Sequence, residues 1–217
     1  MKFILILFII GLTISEIKLP GIDLSSWDET VYWDQLKDDV KFVILRAGYG
    51  KDTTDKVFET YYKKCKHYNI PVGAYWFGYA KTVSEAETEA KAFMRRLNGK
   101  QFEYPVYYDI EDDSMINTGK ETVSNMLDTF CSILEQNKYY CGVYAGKYNL
   151  ENYFTQSVLY KYDIWLAHYA ESTSYKGHKI WQYAEDGYLS SKPGDCDLNW
   201  SYYNYPPLIK SGHFNGY

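Results

Sequence analysis

Short apolar runs alternate along much of the chain with segments whose apolar residues recur at helical spacing. Residues 41–47 are almost continuously apolar, which is typical of a strand buried on both faces of a parallel sheet. Residues 55–67 instead place their apolar side chains on one face of a helix. Strands are predicted at 21–25, 41–47, 71–77, 141–145, 163–167, 179–184 and 195–199, and a further strand begins the stretch 103–113.

Helices are predicted between the strands in the first two thirds of the chain, after which strands follow one another over short connections. A short helix around Trp33 has Asp28 or Thr30 as its cap, and a capping box of Ser84 and Glu87 opens a longer helix. Alternating strands and helices imply a parallel sheet with crossover helices, and about eight strands favour closure into a barrel. We therefore expect a single-domain α/β fold, a distorted, TIM-like β/α barrel that is irregular late in the chain.

The first fifteen residues have the pattern of a secretory signal peptide. Lys2 provides a positive start, residues 3–12 are apolar, and Thr13 and Ser15 are small residues at cleavage spacing. This apolar run is too short for a stable bilayer anchor. We expect cleavage after Ser15, a mature domain of residues 16–217 without a membrane anchor, and either secretion or delivery to a lysosome or phagosome.

The charge balance of the expected mature chain excludes some classes of partner. Removing residues 1–15 leaves 22 basic and 28 acidic residues, a net charge of −6. This balance argues against binding to nucleic acid or to an anionic membrane. It also disfavours attack on an anionic cell wall at neutral pH, and the sequence pI of 5.4 therefore suggests an acidic working compartment.

The four cysteines form an even set in a chain that we expect to be secreted. Disulfides are therefore allowed, and Cys131 on a predicted helix could lie close to Cys141 at the start of the next strand. Cys65 and Cys196 complete the set, which allows three pairings. The cysteines do not have zinc-ligand spacing, and we expect neither a metal nor a cofactor.

An acidic cluster ends the strand that begins the stretch 103–113. Side chains two residues apart on a strand point the same way, so Asp109 and Glu111 share a face with their Cβ atoms about 6.5–7 Å apart. Like charges at that range raise the pKa of one partner. A protonated carboxyl beside an ionised one can cleave a glycosidic bond by acid catalysis. The alternatives are a solvated acidic loop or a metal site.

Further polar and aromatic residues lie at the expected carboxyl ends of the other strands, where the active sites of barrel enzymes are found. Candidate catalytic residues are Asp109, Glu111, Asp23 and Asp197, and candidate substrate-binding residues are Arg46, Tyr75, Tyr144, Trp165 and Gln182. Asp23 could instead cap a helix, Asp197 could hold a loop, and Arg46 could simply pair with a carboxylate. Tyr75 and Trp165 could be ordinary aromatic residues of the core or the rim. Four carboxylates and several aromatic residues at one mouth nevertheless favour a carbohydrate-cleaving site.

The same residues carry a resemblance to a known family. The chain resembles the Chalaropsis-type lysozymes of glycoside hydrolase family 25 over nearly all of the expected mature domain. The segments that carry this resemblance are Gly21–Ser25, Phe42–Ala47, Gly73–Phe77, Tyr108–Glu111, Ile164–Ala167, Trp181–Tyr183 and Asp195–Asn199, in that order. One departure is Trp76, because the corresponding position of the family commonly holds a histidine.

The resemblance implies a distorted barrel with N-acetylmuramidase activity on bacterial peptidoglycan, and a monomeric antibacterial hydrolase. Glu111 would be the proton donor, with Asp109, Asp23 and Asp197 in supporting roles. Direct displacement, inversion and attack by the acetamido group of the substrate remain open as routes, with the last favoured and Asp109 steadying the positive charge that forms.

Three competing interpretations remain. A family 18 chitinase would carry Asp-x-Asp-x-Glu, but Tyr107 stands where the first Asp of that motif belongs. A non-catalytic wall-binding protein on the same barrel has no use for a paired acid and base. A metal-dependent hydrolase is disfavoured because no histidine cluster is present in the sequence.

Overall fold

A closed sheet organises the computed structural model, which describes residues 17–28 and 30–217. The predicted signal peptide, residues 1–15, lies outside the described residues. β1 pairs with both β2 and β9, which closes eight strands into a barrel, while the short β3 pairs only with β2. The strands are β1 (Leu19–Leu24), β2 (Phe42–Tyr49), β3 (Thr53–Thr54), β4 (Val72–Phe77), β5 (Val106–Asp109), β6 (Cys141–Gly146), β7 (Asp163–Ala167), β8 (His178–Leu189) and β9 (Lys192–Ser201).

The direction of β9 makes the barrel irregular. The other seven barrel strands pair in parallel, but β9 runs antiparallel to both β8 and β1. Leu189 pairs with Lys192 across a tight turn, so the chain returns along β8 without a crossover helix. The predicted distorted barrel is thereby confirmed. The expectation that Asp197 follows the carboxyl end of a parallel strand was wrong, because it lies within an antiparallel strand.

Helices cover the outside of the barrel mainly in its first two thirds. In the described part of the chain, no helix has the length and apolarity that a bilayer crossing requires. The helices are α1 (Trp33–Asp39), α2 (Phe58–His67), α3 (Val83–Leu97), α4 (Asp113–Ile116), α5 (Lys120–Gln136), α6 (Lys147–Asn152), α7 (Gln156–Leu159) and α8 (Tyr205–Ser211).

Two predicted helix starts differ from the structure. The N-cap of α3 is Thr82, whose hydroxyl accepts a 3.2 Å hydrogen bond from the Glu85 N–H, so the capping box lies two residues before the predicted one. Tyr32 occupies the N-cap of α1 without a side-chain bond, and Asp28 instead accepts a 2.8 Å bond from the Ser25 N–H. Asp28 is therefore free to take part in the site described below.

Alternate residues of each strand divide between two apolar clusters. On β2, Phe42 and Ile44 belong to the smaller cluster within the barrel, whereas Val43 and Leu45 pack outward beneath the helices. Tyr205 of α8 joins the inner cluster and donates a 2.9 Å bond to Asp163 at the start of β7, so α8 covers the amino-terminal end of the barrel. The opposite end, where the parallel strands finish, stays open.

Candidate active site

The open end of the barrel holds a cavity of about 750 Å³, which we call the cleft. The structure brings every predicted site residue to it. Most of them lie towards the carboxyl ends of parallel strands, which meet at this rim, whereas Asp197 reaches it from the antiparallel β9. The nine that line the cleft are Asp23, Arg46, Tyr75, Asp109, Glu111, Tyr144, Trp165, Gln182 and Asp197. The sequence therefore predicts the place of these residues, although placement alone does not assign their roles.

Asp23 is buried at the end of β1 and is held by two amides. One of its carboxylate oxygens accepts bonds from Gln182 Nε2 at 2.9 Å and from Asn199 Nδ2 at 2.8 Å. The oxygen of the Asn199 side chain accepts a 2.7 Å bond from the Trp165 indole, and Tyr144 donates a 2.7 Å bond to the oxygen of Gln182. Burial and the neighbouring Asp197 carboxyl raise the pKa of Asp23 well above its ordinary value. The network fixes the orientation of this carboxyl.

Asp109 ends β5 deep in the cleft, with only 3% of its surface exposed. Its Oδ1 atom has no hydrogen-bond partner among the described residues, which is costly for a buried oxygen unless a ligand supplies a donor. Burial, followed by the charges of Glu111 and Asp23, raises the pKa of Asp109 well above its ordinary value. The free oxygen is the most specific sign of a ligand-binding position in the cleft.

Glu111 lies two residues beyond β5, where the ladder continues through a 3.0 Å bond from the Ile110 N–H to the Tyr144 carbonyl. Its side chain reaches solvent, but the cleft walls remove part of its hydration. This desolvation, followed by the charges of Glu185 and Asp112, raises the pKa of Glu111. The expected cause, an ionised Asp109, is not among these, whereas the charge of Glu111 is among the causes that raise the pKa of Asp109.

Asp197 approaches the cleft from β9 and belongs to a second acidic group. Burial, followed by the charge of Asp28, raises the pKa of Asp197 to about 7. Asp28 pairs with Lys192, whose ammonium lies 2.9 Å from the carboxylate and is almost completely buried. Lys192 therefore offsets only part of the negative charge that Asp28, Asp23 and Asp197 bring together.

Arg46 lines the cleft, but its guanidinium is already engaged. It forms a 2.7 Å ion pair with the buried Asp55 and donates a 3.0 Å bond to the Ser26 hydroxyl. Both the substrate-binding and the pairing interpretations of Arg46 are therefore compatible with its position.

Several cleft residues were not selected from the sequence. They lie on the loop after β1, the connection after β7, and the hairpin of β8 and β9, and comprise Trp27, Asp28, Tyr169, Glu185, Lys192 and Asp195. Tyr169 donates a 3.2 Å bond to the oxygen of Gln182, so it extends the network around Asp23. These residues lie outside the ends of parallel strands, and the aromatic pattern of the sequence does not single them out.

No group of three or more histidine, cysteine or acidic side chains in residues 17–28 and 30–217 is arranged to hold a metal ion. The arrangement that the cleft does offer is a deep, unpartnered carboxyl beside an accessible one with a raised pKa. Residues 22–192 match the family described as glycosyl hydrolases family 25. The chain belongs to glycosyl hydrolase family 25.

Solved structures of other proteins share the fold of this family 25 chain. The modular autolysin LytC from Streptococcus pneumoniae is 23% identical with a TM-score of 0.77, over 84% of this chain and 46% of the autolysin. A family 25 glycosyl hydrolase from Bacillus anthracis is 24% identical with a TM-score of 0.73, over 91% and 93% of the two chains. A lysozyme from Streptomyces coelicolor is 22% identical with a TM-score of 0.74, over 90% and 96%. This chain thus spans less than half the length of the autolysin, and a search of curated proteins found no match.

Trp76, where this chain departs from the family pattern, does not line the cleft. Trp76 points outward from β4, is fully buried, and donates a 2.9 Å bond to the Gly50 carbonyl. It packs against Phe93 of α3, with ring centroids 5.7 Å apart. The substitution therefore changes the packing between barrel and helix rather than the chemistry of this family 25 site.

Asn199-Trp-Ser201 has the Asn-x-Ser pattern of an N-glycosylation acceptor, and it lies in β9. Asn199 is 1% exposed, and its amide is bonded to Asp23 and Trp165. In the folded family 25 domain this asparagine is inaccessible to a glycan, and it orients a cleft carboxylate instead.

Proposed function

We propose that this family 25 chain is a lysozyme that hydrolyses the β-1,4 bond between N-acetylmuramic acid and N-acetylglucosamine in bacterial peptidoglycan. The observation that carries the proposal is the pair of Asp109 and Glu111, one buried with an unpartnered oxygen and the other accessible with a raised pKa. Family membership supports hydrolysis of a glycosidic bond. The autolysin relative was also solved with a synthetic peptidoglycan ligand, which supports the choice of polymer.

Glu111 acts as the general acid in the first step of the proposed mechanism. It transfers its proton to the glycosidic oxygen as the bond between that oxygen and the anomeric carbon breaks. The carbonyl oxygen of the substrate's acetamido group attacks the anomeric carbon and closes a positively charged ring. Asp109 Oδ1 accepts the acetamido N–H, and this bond favours the ionised form of Asp109 once substrate is bound.

The second step reverses the role of Glu111. Its carboxylate takes a proton from water, which attacks the anomeric carbon and reopens the ring to give a reducing sugar. The raised pKa of Glu111 suits both steps, because the group must be protonated at the start and must take the proton back. Asp23 and Asp197 shape the field of the cleft. Tyr75 and Tyr144 contact the sugar, and Trp165, which is 1% exposed, packs against both rings and holds them in place.

We propose residues 16–217 as the mature, monomeric domain, made with a cleavable signal peptide and delivered outside the cell or to a lysosomal or phagosomal compartment. The acidic balance of the chain supports an acidic setting. An antibacterial role follows from the proposed substrate.

The proposal is tested by turbidity loss of a bacterial wall suspension between pH 4 and 8, with mass analysis of the released fragments. The expected fragments have reducing muramic acid ends. Reducing glucosamine ends would instead place the cleavage at the other glycosidic bond, and wall binding without release at any pH would support a binding protein.

A Glu111→Gln variant tests the assignment of the acid. It keeps nearly the same shape but cannot donate the proton, so we expect turnover to fall by about 10²–10⁴-fold while wall binding persists. Near-normal turnover in this variant would remove Glu111 from the role of general acid.

A further inference from the structure

A second cavity, of about 510 Å³, opens beside the cleft, and we call it the aromatic annex. Its walls include the rings of Trp27, Tyr49, Phe77 and Tyr79, together with the cationic side chains of Arg46 and Lys56. Trp27, Arg46 and Phe77 line the cleft as well as the annex. A ligand that occupies the cleft can therefore extend into the annex without leaving the protein surface.

The rings of the annex are held on a built scaffold. Trp27 is 84% exposed, Tyr79 46% and Tyr49 37%, so the annex presents a group of neighbouring exposed rings rather than a single exposed side chain. The ring centroids of Phe77 and Tyr79 lie 5.0 Å apart. The Tyr79 N–H donates a 3.0 Å bond to Glu89 of α3, and the Gly50 N–H donates a 2.9 Å bond to the Phe77 carbonyl. These bonds hold the loops that carry the rings, so the annex is largely formed before a ligand arrives.

The charges of the two cavities differ. Both cations that line the cleft are already paired, Arg46 with Asp55 at 2.7 Å and Lys192 with Asp28 at 2.9 Å. Carboxyl groups therefore dominate the cleft, and they are Asp23, Asp28, Asp109, Glu111, Glu185, Asp195 and Asp197. An anionic substituent of a substrate would be repelled there, which leaves the annex as the alternative place for it.

Lys56 gives the annex its available positive charge. It is exposed just beyond β3, and it forms no ion pair with any residue of 17–28 or 30–217. An ammonium group beside an aromatic wall can pair with a carboxylate while the rings cover the apolar part of the same ligand. This combination fits a short peptide that carries free carboxylates better than it fits a neutral sugar.

We propose that the aromatic annex binds the peptide substituent that muramic acid carries in peptidoglycan, with Lys56 pairing with a carboxylate of that peptide. The proposal rests on the proposed lysozyme function, which supplies the glycan in the cleft. It makes the annex a determinant of substrate preference, since a glycan whose peptide carboxylates are masked loses the contact with Lys56.

The test measures binding by titration calorimetry in the full mature domain carrying Glu111→Gln, so that ligands are not consumed. The ligands are a muramic acid-containing tetrasaccharide with peptides whose carboxylates are free, and the same compound with those carboxylates amidated. We expect the free-acid ligand to bind about fivefold more tightly, the upper range for an exposed ion pair. Adding Lys56→Gln should bring the ratio of the two Kd values close to one. Adding Lys56→Arg, which keeps the positive charge, should leave the ratio as in the parent.

Lys64→Gln is the matched control, because Lys64 is exposed on α2 and lines neither cavity, so the ratio should stay as in the parent. Equal affinities in the parent, or an unchanged ratio in Lys56→Gln, would overturn the proposal. A third ligand without the peptide keeps only the lactyl carboxylate. If it binds as tightly as the free-acid ligand, the assignment to the peptide is wrong.

This design distinguishes failure of the annex proposal from failure of the proposed lysozyme function. Turnover of the unmodified domain on the same ligands tests lysozyme activity alone. A chain that binds with the expected Kd ratio but releases no reducing ends would retain the annex and refute the activity. Turnover of both ligands with equal Kd values would support the lysozyme activity and refute the annex proposal.

Discussion

The side-chain amide of Gln182 donates a 2.9 Å hydrogen bond to Asp23, which lies two strands away in the closed sheet. The intervening strand, β9, contributes Asn199 to the same carboxylate oxygen at 2.8 Å. Gln182 also accepts bonds from the hydroxyls of Tyr144 and Tyr169. One amide therefore links the carboxyl at the start of the barrel to the aromatic wall of the cleft.

Replacing Gln182 with alanine should destabilise this buried network. The change leaves Asp23 with one donor fewer and removes the acceptor of two tyrosine hydroxyls, at a cost of about 1–3 kcal/mol in the free energy of unfolding. Urea unfolding of Gln182→Ala measures this loss, and Gln136→Ala, at an exposed position of α5, is the matched control. Equal stability of the two variants would contradict a structural role for the amide.

The positions of most cleft residues could be predicted because a parallel strand imposes two strong constraints. Side chains alternate between two faces, and the carboxyl ends of neighbouring parallel strands meet at one rim. Asp109, Tyr144 and Trp165 follow from these constraints alone. The same rule predicted that Asp197 lies at this rim. It does lie there, but β9 runs antiparallel to β8, so the rule does not explain its position.

The rest of the site depends on contacts between distant parts of the chain. Lys192 reaches Asp28 across most of the sequence, and Trp27 gains its place only when the loop after β1 lies beside β4. The pKa of Glu111 likewise responds to Glu185 on the β8 hairpin rather than to Asp109 beside it in sequence. Local patterns of polarity carry no information about such pairings.

Removing the charge of Glu185 should change the pH range of catalysis. Its carboxylate is one of the groups that raise the pKa of Glu111, after desolvation. In Glu185→Gln the pKa of Glu111 falls, so the general acid loses its proton at a lower pH. We expect the alkaline limb of the kcat profile to move to lower pH.

The profile is measured by release of reducing ends across pH 4–8. Asp186→Asn, an exposed substitution on the same strand, is the control and should leave the limb in place. A limb that does not move in Glu185→Gln would show that the charge of Glu185 does not control the proton of Glu111.

The predicted proximity of Cys131 and Cys141 is confirmed, with their sulfur atoms 2.6 Å apart between α5 and β6 and both thiols free in the structure. If the chain passes through an oxidising compartment, as the proposed signal peptide requires, we expect these two thiols to be oxidised to a disulfide. Alkylation in denaturant, followed by peptide mass analysis, should then label Cys65 and Cys196 but not the pair. Labelling of all four thiols in protein secreted from its own cells would contradict the prediction.

Asp197 should make the domain more stable at acidic than at neutral pH. The pKa of Asp197 is raised from 3.8 to about 7 in the folded state, first by burial and then by the charge of Asp28. Between these two values the folded state holds a proton that the unfolded state releases, so the stability from this group is complete below about pH 4 and declines as pH rises to 7. A shift of this size corresponds to at most about 4 kcal/mol in the free energy of unfolding.

Denaturant unfolding at pH 4.5 and pH 7.5 tests the sign of this effect. The unmodified domain should be more stable at pH 4.5, and Asp197→Asn should reduce the difference because an amide cannot titrate. Some difference should remain, since burial also raises the pKa of Glu89, to about 6, with the same sign. An undiminished difference in Asp197→Asn would assign the pH dependence to other groups, whereas the expected reduction would tie the stability of the fold to the acidic setting in which we propose that the enzyme works.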